Sequence, residues 1–192
     1  MRRLSVYLAG LACAASLSSS AFAAWDFDPL TRQPIAPSYG MVPQAAAIPR
    51  ALVNFDGRFA PGTVVVSTSE RRLYYVIGNG QAIRYGVGVG RPGFTWAGTK
   101  AITMKREWPS WTPPAQMLRR RPDLPRHMRG GPDNPLGARA LYLGSSLYRI
   151  HGSNEPETIG QAVSSGCIRM LNDDVVDLYQ RVRVGTRVVV VR

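Results

Sequence analysis

Seven prolines fall between Trp108 and Pro135. Each removes a backbone donor and fixes φ near −65°, so neither a central strand nor a long helix can run through that stretch. It must cross the surface as a long, irregular excursion, and a loop of that size in a compact domain is usually a lid or a binding wall. The excursion divides the chain into two strand-forming regions. Before it, residues 63–68 are β-branched, and residues 71–77 and 81–89 flank Gly78-Asn79-Gly80, which predicts a hairpin. Residues 101–106 give a further strand. After it, residues 140–143, 147–151 and 186–191 carry strand character. One helix is expected, with Asn172 as its cap, Asp173 and Asp174 at its positive end, and Val175, Leu178, Tyr179 and Val182 on one apolar face. Gly185 ends it. The expected fold is mostly β, in a single domain.

With 192 residues and 45% apolar side chains, the chain has enough material for one core and is not disordered. Two cysteines and two histidines exclude a disulfide framework and the usual four-ligand zinc site. The first residues read as an export leader: Arg2 and Arg3, a short apolar run, then Ala21-Phe22-Ala23, with cleavage after Ala23. That implies a periplasmic destination. A lipoprotein reading through Cys13 fits poorly, since Gly10 stands where a Leu is expected. Residues 24–60 hold five scattered prolines and read as a Pro-rich arm, leaving 61–192 as the catalytic domain. The mature chain has no transmembrane segment.

The formal charge is +12, and all but Lys100 and Lys105 of the basic residues are arginines. Those arginines are scattered through strands, loop and helix, so a nucleic-acid partner is not indicated; an anionic envelope polymer suits the compartment better.

Without the leader a single thiol remains, Cys167, and an unpaired thiol in an exported protein needs a reason to be there. Either it is a buried, inert hydrophobe or it is a nucleophile. His151-Gly152 closes a predicted strand sixteen residues upstream of it. A thiol attacks as its anion, and an imidazole can take the proton and later return it to a leaving amine. His151 and Cys167 can share acyl transfer if the intervening loop folds back. Gly166 permits a tight turn before the nucleophile, and the amides around Ser165, Gly166 and Cys167 could face an oxyanion. Ser164 either bonds His151 or caps a turn, and Arg169 either meets a substrate carboxylate or pins the loop. His127 reads as a solvated loop histidine. Trp96, Trp108 and Trp111 read first as packing residues and second as groove walls.

The run HGSNEPETIGQAVSSGCIRM resembles the signature of the L,D-transpeptidase catalytic domain (YkuD or ErfK/YbiS type), a His-Gly upstream of S-x-G-C-x-R. GFTWAGTKAI, WPSWTPPAQM and GGPDNPLGARALYLG are similar to accompanying blocks of that family, in the same order. The resemblance implies a β-sandwich-like catalytic fold. It also implies a cysteine enzyme that cuts a peptidoglycan tetrapeptide stem before its terminal D-alanine and passes the acyl group to an amine. By position, Cys167 is then the nucleophile, His151 the base and acid, and Ser164, Arg169 and Gly152 substrate-binding or orienting residues, with a backbone carbonyl holding His151. Ser165 stands where the family often has His. The implied partners are stem peptides with diaminopimelate or lysine, and an envelope protein as an alternative acceptor. With water as acceptor the enzyme would be an L,D-carboxypeptidase. A wall-binding protein without activity and a general cysteine protease are the rival readings. No metal or organic cofactor is called for, and the resemblance implies acylation of the thiol by carbapenems.

Overall fold

The computed structural model describes residues 48–55 and 58–192; the residues read as a leader, and most of those read as a Pro-rich arm, lie outside the described residues. The chain runs through β1 (Ala51–Asn54), β2 (Val64–Ser67), β3 (Arg72–Gly78), β4 (Gln81–Gly86), β5 (Val89–Gly90) and β6 (Gly98–Glu107). After the excursion, which contains the short helix α1 (Ala115–Arg120), come β7 (Arg139–Leu143), β8 (Arg149–His151), β9 (Ala162–Ser164) and β10 (Ile168–Arg169). Helix α2 (Asn172–Arg181) and β11 (Arg187–Val191) close the chain. The fold is mostly β with one main helix.

Nine strands pair in the order β1-β4-β3-β2-β11-β6-β7-β8-β10, and β5 pairs with β9 separately. Strand β2 is buried at every position, as a continuous Val run predicts for a strand covered on both faces. It lies between β3, antiparallel, and β11, parallel, with Val188 opposite Val64. The β3–β4 hairpin turns at Asn79 and Gly80, whose φ values of 52° and 70° suit a two-residue turn with both central residues left-handed.

Strand β6 joins two layers. Its first part pairs with β11 from Gly98 to Ala101, and its second part pairs with β7 from Ile102 to Glu107. The register slips between Ile102 and Met104, and such an irregularity lets one strand bend from one sheet into another. Val64, Val66, Leu73 and Tyr85 from one half and Leu141, Leu143, Ile150 and Ile168 from the other then form one buried cluster. Helix α2 adds Val175 and Leu178 to it, as its apolar spacing predicts, and Val182 joins from the residue just after the helix.

Three local expectations need correction. Residues 51–54, inside the stretch read as an arm, form β1 and extend the sheet beside β4. Asn172 does not cap α2: Leu171 occupies the cap position with no side-chain bond. The Asn172 side chain instead accepts from the Ala138 amide at 2.9 Å and donates to the Ser153 carbonyl at 3.1 Å, fastening β7 to the segment after β8. The helix breaks before Gly185, with Val182 as its C-cap in an extended conformation.

The excursion is not wholly irregular. Trp111 and Met128 exchange backbone hydrogen bonds of 2.8 Å. The buried Asn134 amide donates to the Pro109 carbonyl at 3.1 Å and the Arg129 carbonyl at 2.9 Å. These bonds close the base of the loop.

Candidate active site

The parallel pairing of β8 and β10 sets Ile168 beside Ile150 and Arg169 beside His151. Cys167 immediately precedes β10, so its strand neighbour is Arg149, two residues before His151. Strands pair at roughly 4.8 Å, and side chains two apart on a strand share a face. His151 and Arg149 therefore stand on one face of β8, with the cysteine at the start of the adjacent strand. Buried Ile150 and Ile168 anchor both strands in the core.

His151 is buried, and its Nδ1 lies 2.6 Å from the Gly152 carbonyl. A carbonyl only accepts, so Nδ1 carries the proton and Nε2 is the basic nitrogen. Asn154 and Glu155 play no part in orienting it: Asn154 donates to the Asp133 carbonyl, and Glu155 pairs with Arg169 at 2.6 Å. Burial pulls the imidazole pKa down to about 4; the Gly152 bond opposes this, and the Arg169 and Arg149 charges reinforce it. Burial pushes the Cys167 thiol up, against the lowering influence of Arg149 and Arg169. Burial thus favours the neutral form of both the thiol and the imidazole.

The loop carrying the thiol is tightly built. Ser164 Oγ donates to the Cys167 carbonyl at 2.6 Å and accepts from the Gly166 amide at 3.0 Å. Ser164 is thus a turn cap and makes no bond to His151. Because its amide is engaged, Gly166 does not supply an oxyanion donor; the Cys167 amide has no acceptor among the described residues. Gly166 has φ of 108°, and a Cβ there would meet Tyr148 Cε1 at 2.6 Å, so glycine is required twice over. Tyr148 stacks on Trp96 at 4.7 Å, and Trp96 Nε1 donates to the Gly166 carbonyl at 2.9 Å. Trp96 therefore serves the loop from below. Gly152 presents its carbonyl to His151, and Arg169 ties the loop through Glu155 and, at 3.3 Å, Thr158 Oγ1. His127 is exposed, with Nδ1 at 3.1 Å from Thr112 Oγ1.

A cleft of about 440 Å³ separates the excursion from this loop. Trp111, Arg120 and Arg121 line one side; Ser164, Ser165 and Arg169 line the other.

Two features were missed in the sequence. Arg149 was read only as part of a strand, although its spacing from His151 places it on the same face. Its Nη1 donates to the Leu147 carbonyl at 3.2 Å, and the Cys167 thiol points at the same oxygen at 3.7 Å. Arg149 Nε is buried with no hydrogen-bond partner. The second feature is the Arg91-Pro92-Gly93-Phe94 turn, closed by the Phe94 amide on the Arg91 carbonyl at 2.8 Å, with Gly93 at φ 83°. It clasps the thiol loop: the Arg91 amide donates to the Ser164 carbonyl at 3.0 Å and Arg91 Nη1 to Ser165 Oγ at 3.3 Å.

The fold defines a class of mostly β proteins in which a strand ending in histidine pairs in parallel with a short strand that follows directly on a cysteine. Within that class, residues 61–190 match the family model for the L,D-transpeptidase catalytic domain, YkuD, and the chain belongs to that family. It is 40% identical over 137 residues to the probable L,D-transpeptidase ErfK/SrfK of Escherichia coli, across 67% of this chain and 43% of that protein. It is also 40% identical over 134 residues to the probable L,D-transpeptidase YbiS of the same organism, across 65% and 43%. The aligned part thus spans less than half of these relatives. Among solved structures, an L,D-transpeptidase from Mycobacterium smegmatis aligns at a TM-score of 0.55 and 18% identity, over 68% of this chain and 58% of that one, a likeness of fold alone. A Brucella melitensis protein named as a probable carnitine operon oxidoreductase aligns at 0.51 and 45% identity, over 74% and 93%.

Proposed function

We propose that this protein is an exported cysteine L,D-transpeptidase that works on peptidoglycan stem peptides in the periplasm. The observation that supports the reading is the parallel pairing of β8 and β10, with a buried, Nδ1-protonated imidazole ending the first strand and the thiol immediately preceding the second. Family membership supplies the substrate class.

In the first half-reaction the Cys167 sulfur attacks the carbonyl carbon of the residue before the terminal D-alanine, and the thiol proton moves to His151 Nε2. The Cys167 amide is the free donor for the oxyanion that forms. Breaking the C–N bond passes the His151 proton to the departing D-alanine amine and leaves a thioester on Cys167. In the second half an acceptor amine attacks the thioester, His151 takes its proton, and the sulfur leaves as thiol. The acceptor amine comes from a second stem, giving a 3–3 cross-link, or from an envelope protein; water in its place makes the protein a carboxypeptidase.

Arg149 supports this chemistry. Burial favours the neutral form of both partners, so the negative charge must be stabilised as it appears on sulfur. A guanidinium with a buried, unpartnered Nε beside that sulfur is placed to do so.

The test is intact-mass measurement of the mature chain with a disaccharide-tetrapeptide and, separately, with a carbapenem. The expected result is an adduct on Cys167 in both cases, loss of D-alanine in the first, and dimeric or protein-linked products whose mass names the acceptor. Unmodified protein in both reactions would overturn the reading.

A further inference from the structure

The cleft beside the thiol loop is lined by four guanidiniums, those of Arg91, Arg120, Arg121 and Arg169. Two of them are already neutralised. Arg121 holds Asp123 at 2.8 Å, and Arg169 holds Glu155 at 2.6 Å. Arg91 and Arg120 have no carboxylate partner among the described residues. Both nevertheless converge on one ring: the guanidinium carbon of Arg91 lies 4.1 Å, and that of Arg120 5.6 Å, from the Phe94 centroid. The two carbons therefore stand at most about 10 Å apart.

In solvent two like charges up to about 10 Å apart repel only weakly, and a shared ring face can offset that repulsion, so both cations can be held without a counter-ion. The tight turn at Pro92-Gly93 builds the arrangement by folding Phe94 back beside Arg91. Arg120 reaches the same ring from α1, across the cleft. Arg91 is further fixed by Ser165 Oγ, two residues before the thiol. An arrangement that gathers positive charge in the cleft beside the thiol loop, and leaves it without a carboxylate partner, suits an anionic ligand that both arginines can reach. Planar guanidinium forks match a carboxylate better than any other common anion of a peptide.

We propose that Arg91 and Arg120 form a carboxylate clamp, with Phe94 as its floor, that grips a free carboxylate of the donor stem and so sets the register of the scissile bond over Cys167. The inference rests on the proposed transpeptidase reading for its ligand. The carboxylate has two sources, the C-terminus of the departing D-alanine and a carboxylate carried further back along the stem. The clamp predicts that the enzyme discriminates free carboxylate from carboxamide at one of these positions.

The experiment measures binding by calorimetry to the mature Cys167→Ser chain, which cannot turn over. The probes are a disaccharide-tetrapeptide, the same molecule with a C-terminal carboxamide, and the same molecule amidated at the interior carboxylates. One of the two amides is expected to bind roughly tenfold more weakly, and its position identifies the source. In Arg91→Gln and Arg120→Gln backgrounds the intact stem is expected to weaken by about the same factor while that amide loses nothing further. Arg120 is on an exposed helix and meets the loop only through the Phe94 ring, so an unchanged melting temperature of Arg120→Gln separates a lost clamp from a lost fold. Equal binding of all three probes to the parent overturns the clamp, as do arginine variants that weaken every probe alike. Acylation of Cys167 by the stem is read separately by mass. Its absence refutes the transpeptidase reading, whereas intact acylation with inert arginine variants refutes only the clamp.

Discussion

The strand pair β8–β10 and the excursion facing it are built on opposite principles. The strands carry the groups proposed to react and are held by Ile150, Ile168 and Met170, all essentially inaccessible to solvent. The excursion carries arginines and prolines, contributes no buried residue from α1, and is secured at its base by backbone and Asn134 bonds. Chemistry needs reacting atoms fixed to a fraction of an ångström. Recognition of a branched polymer stem needs a wall that can be exchanged without unfolding the enzyme. If this division is right, substitutions on the strand side should damage chemistry or stability, and those on the excursion side should damage binding alone.

The largest effect expected is that of Cys167→Ala. The variant should lose at least about 10⁴-fold of the acylation rate, because covalent chemistry has no substitute route at this site. Its melting temperature should stay within about 2 °C, since the half-buried thiol supports little packing. A variant that still cross-linked stems would favour a wall-binding scaffold over an enzyme. Next come the supports. Ile150→Ala or Ile168→Ala should cost about 2–5 kcal/mol in denaturant unfolding, the range for emptying a fully buried site. Leu124→Ala, on the half-buried inner side of the excursion, should cost less than about 1 kcal/mol. Equal costs would erase the contrast between the two regions.

The pH dependence sharpens the comparison on the chemical side. With its pKa lowered to about 4, His151 is the free base throughout the neutral range. Its protonated fraction grows only as pH falls toward that value, so acylation by a carbapenem should be nearly flat from pH 6 to 8 and fall below about pH 5. Burial raises the thiol, so alkylation by iodoacetamide, which needs a preformed thiolate, should climb about tenfold per pH unit over the same range. Rapid alkylation at pH 6 would mean an ion pair at rest and would contradict the neutral pair. Arg149→Gln removes a cation that lowers the thiol pKa. It should slow alkylation at pH 8 roughly three- to tenfold, a shift that loss of packing alone would not produce.

The two regions also differed in how far the sequence revealed them. The hairpin was legible because Asn79-Gly80 specifies its own turn. The candidate site stood out in the sequence because His151-Gly152 and the Ser164–Arg169 run combine residue types that acyl transfer would require with glycines that geometry requires. What escaped was set by tertiary partners. Strand β1 alternates exposed and half-buried residues over only four positions, too weak a period to stand out from a Pro-rich arm. Asn172 has the right type and place for a cap, but two backbone groups of the adjacent layer compete for its side chain and win. The Gly166 amide was available for an oxyanion until Ser164 folded onto it. Arg149 carries no signature, because its meaning depends on which strand lies alongside.

The smallest effect should appear on the excursion. Asp123 pairs with Arg121 on a fully exposed surface, and that pair holds the aspartate carboxyl below its usual range. Solvent screens such a pair, so Asp123→Asn should leave the unfolding transition unmoved. It should nevertheless free a third guanidinium beside the cleft, next in sequence to Arg120, and thereby tighten binding of an anionic stem severalfold at low salt. Raising the salt to about 0.5 M should abolish the gain, because the Debye length then falls below the distances over which exposed charges act. A shifted unfolding midpoint would show the excursion contributing to stability in the manner of the strands. An unchanged midpoint with salt-sensitive binding would show a recognition wall whose charge can be altered while the reacting strands stay as they are.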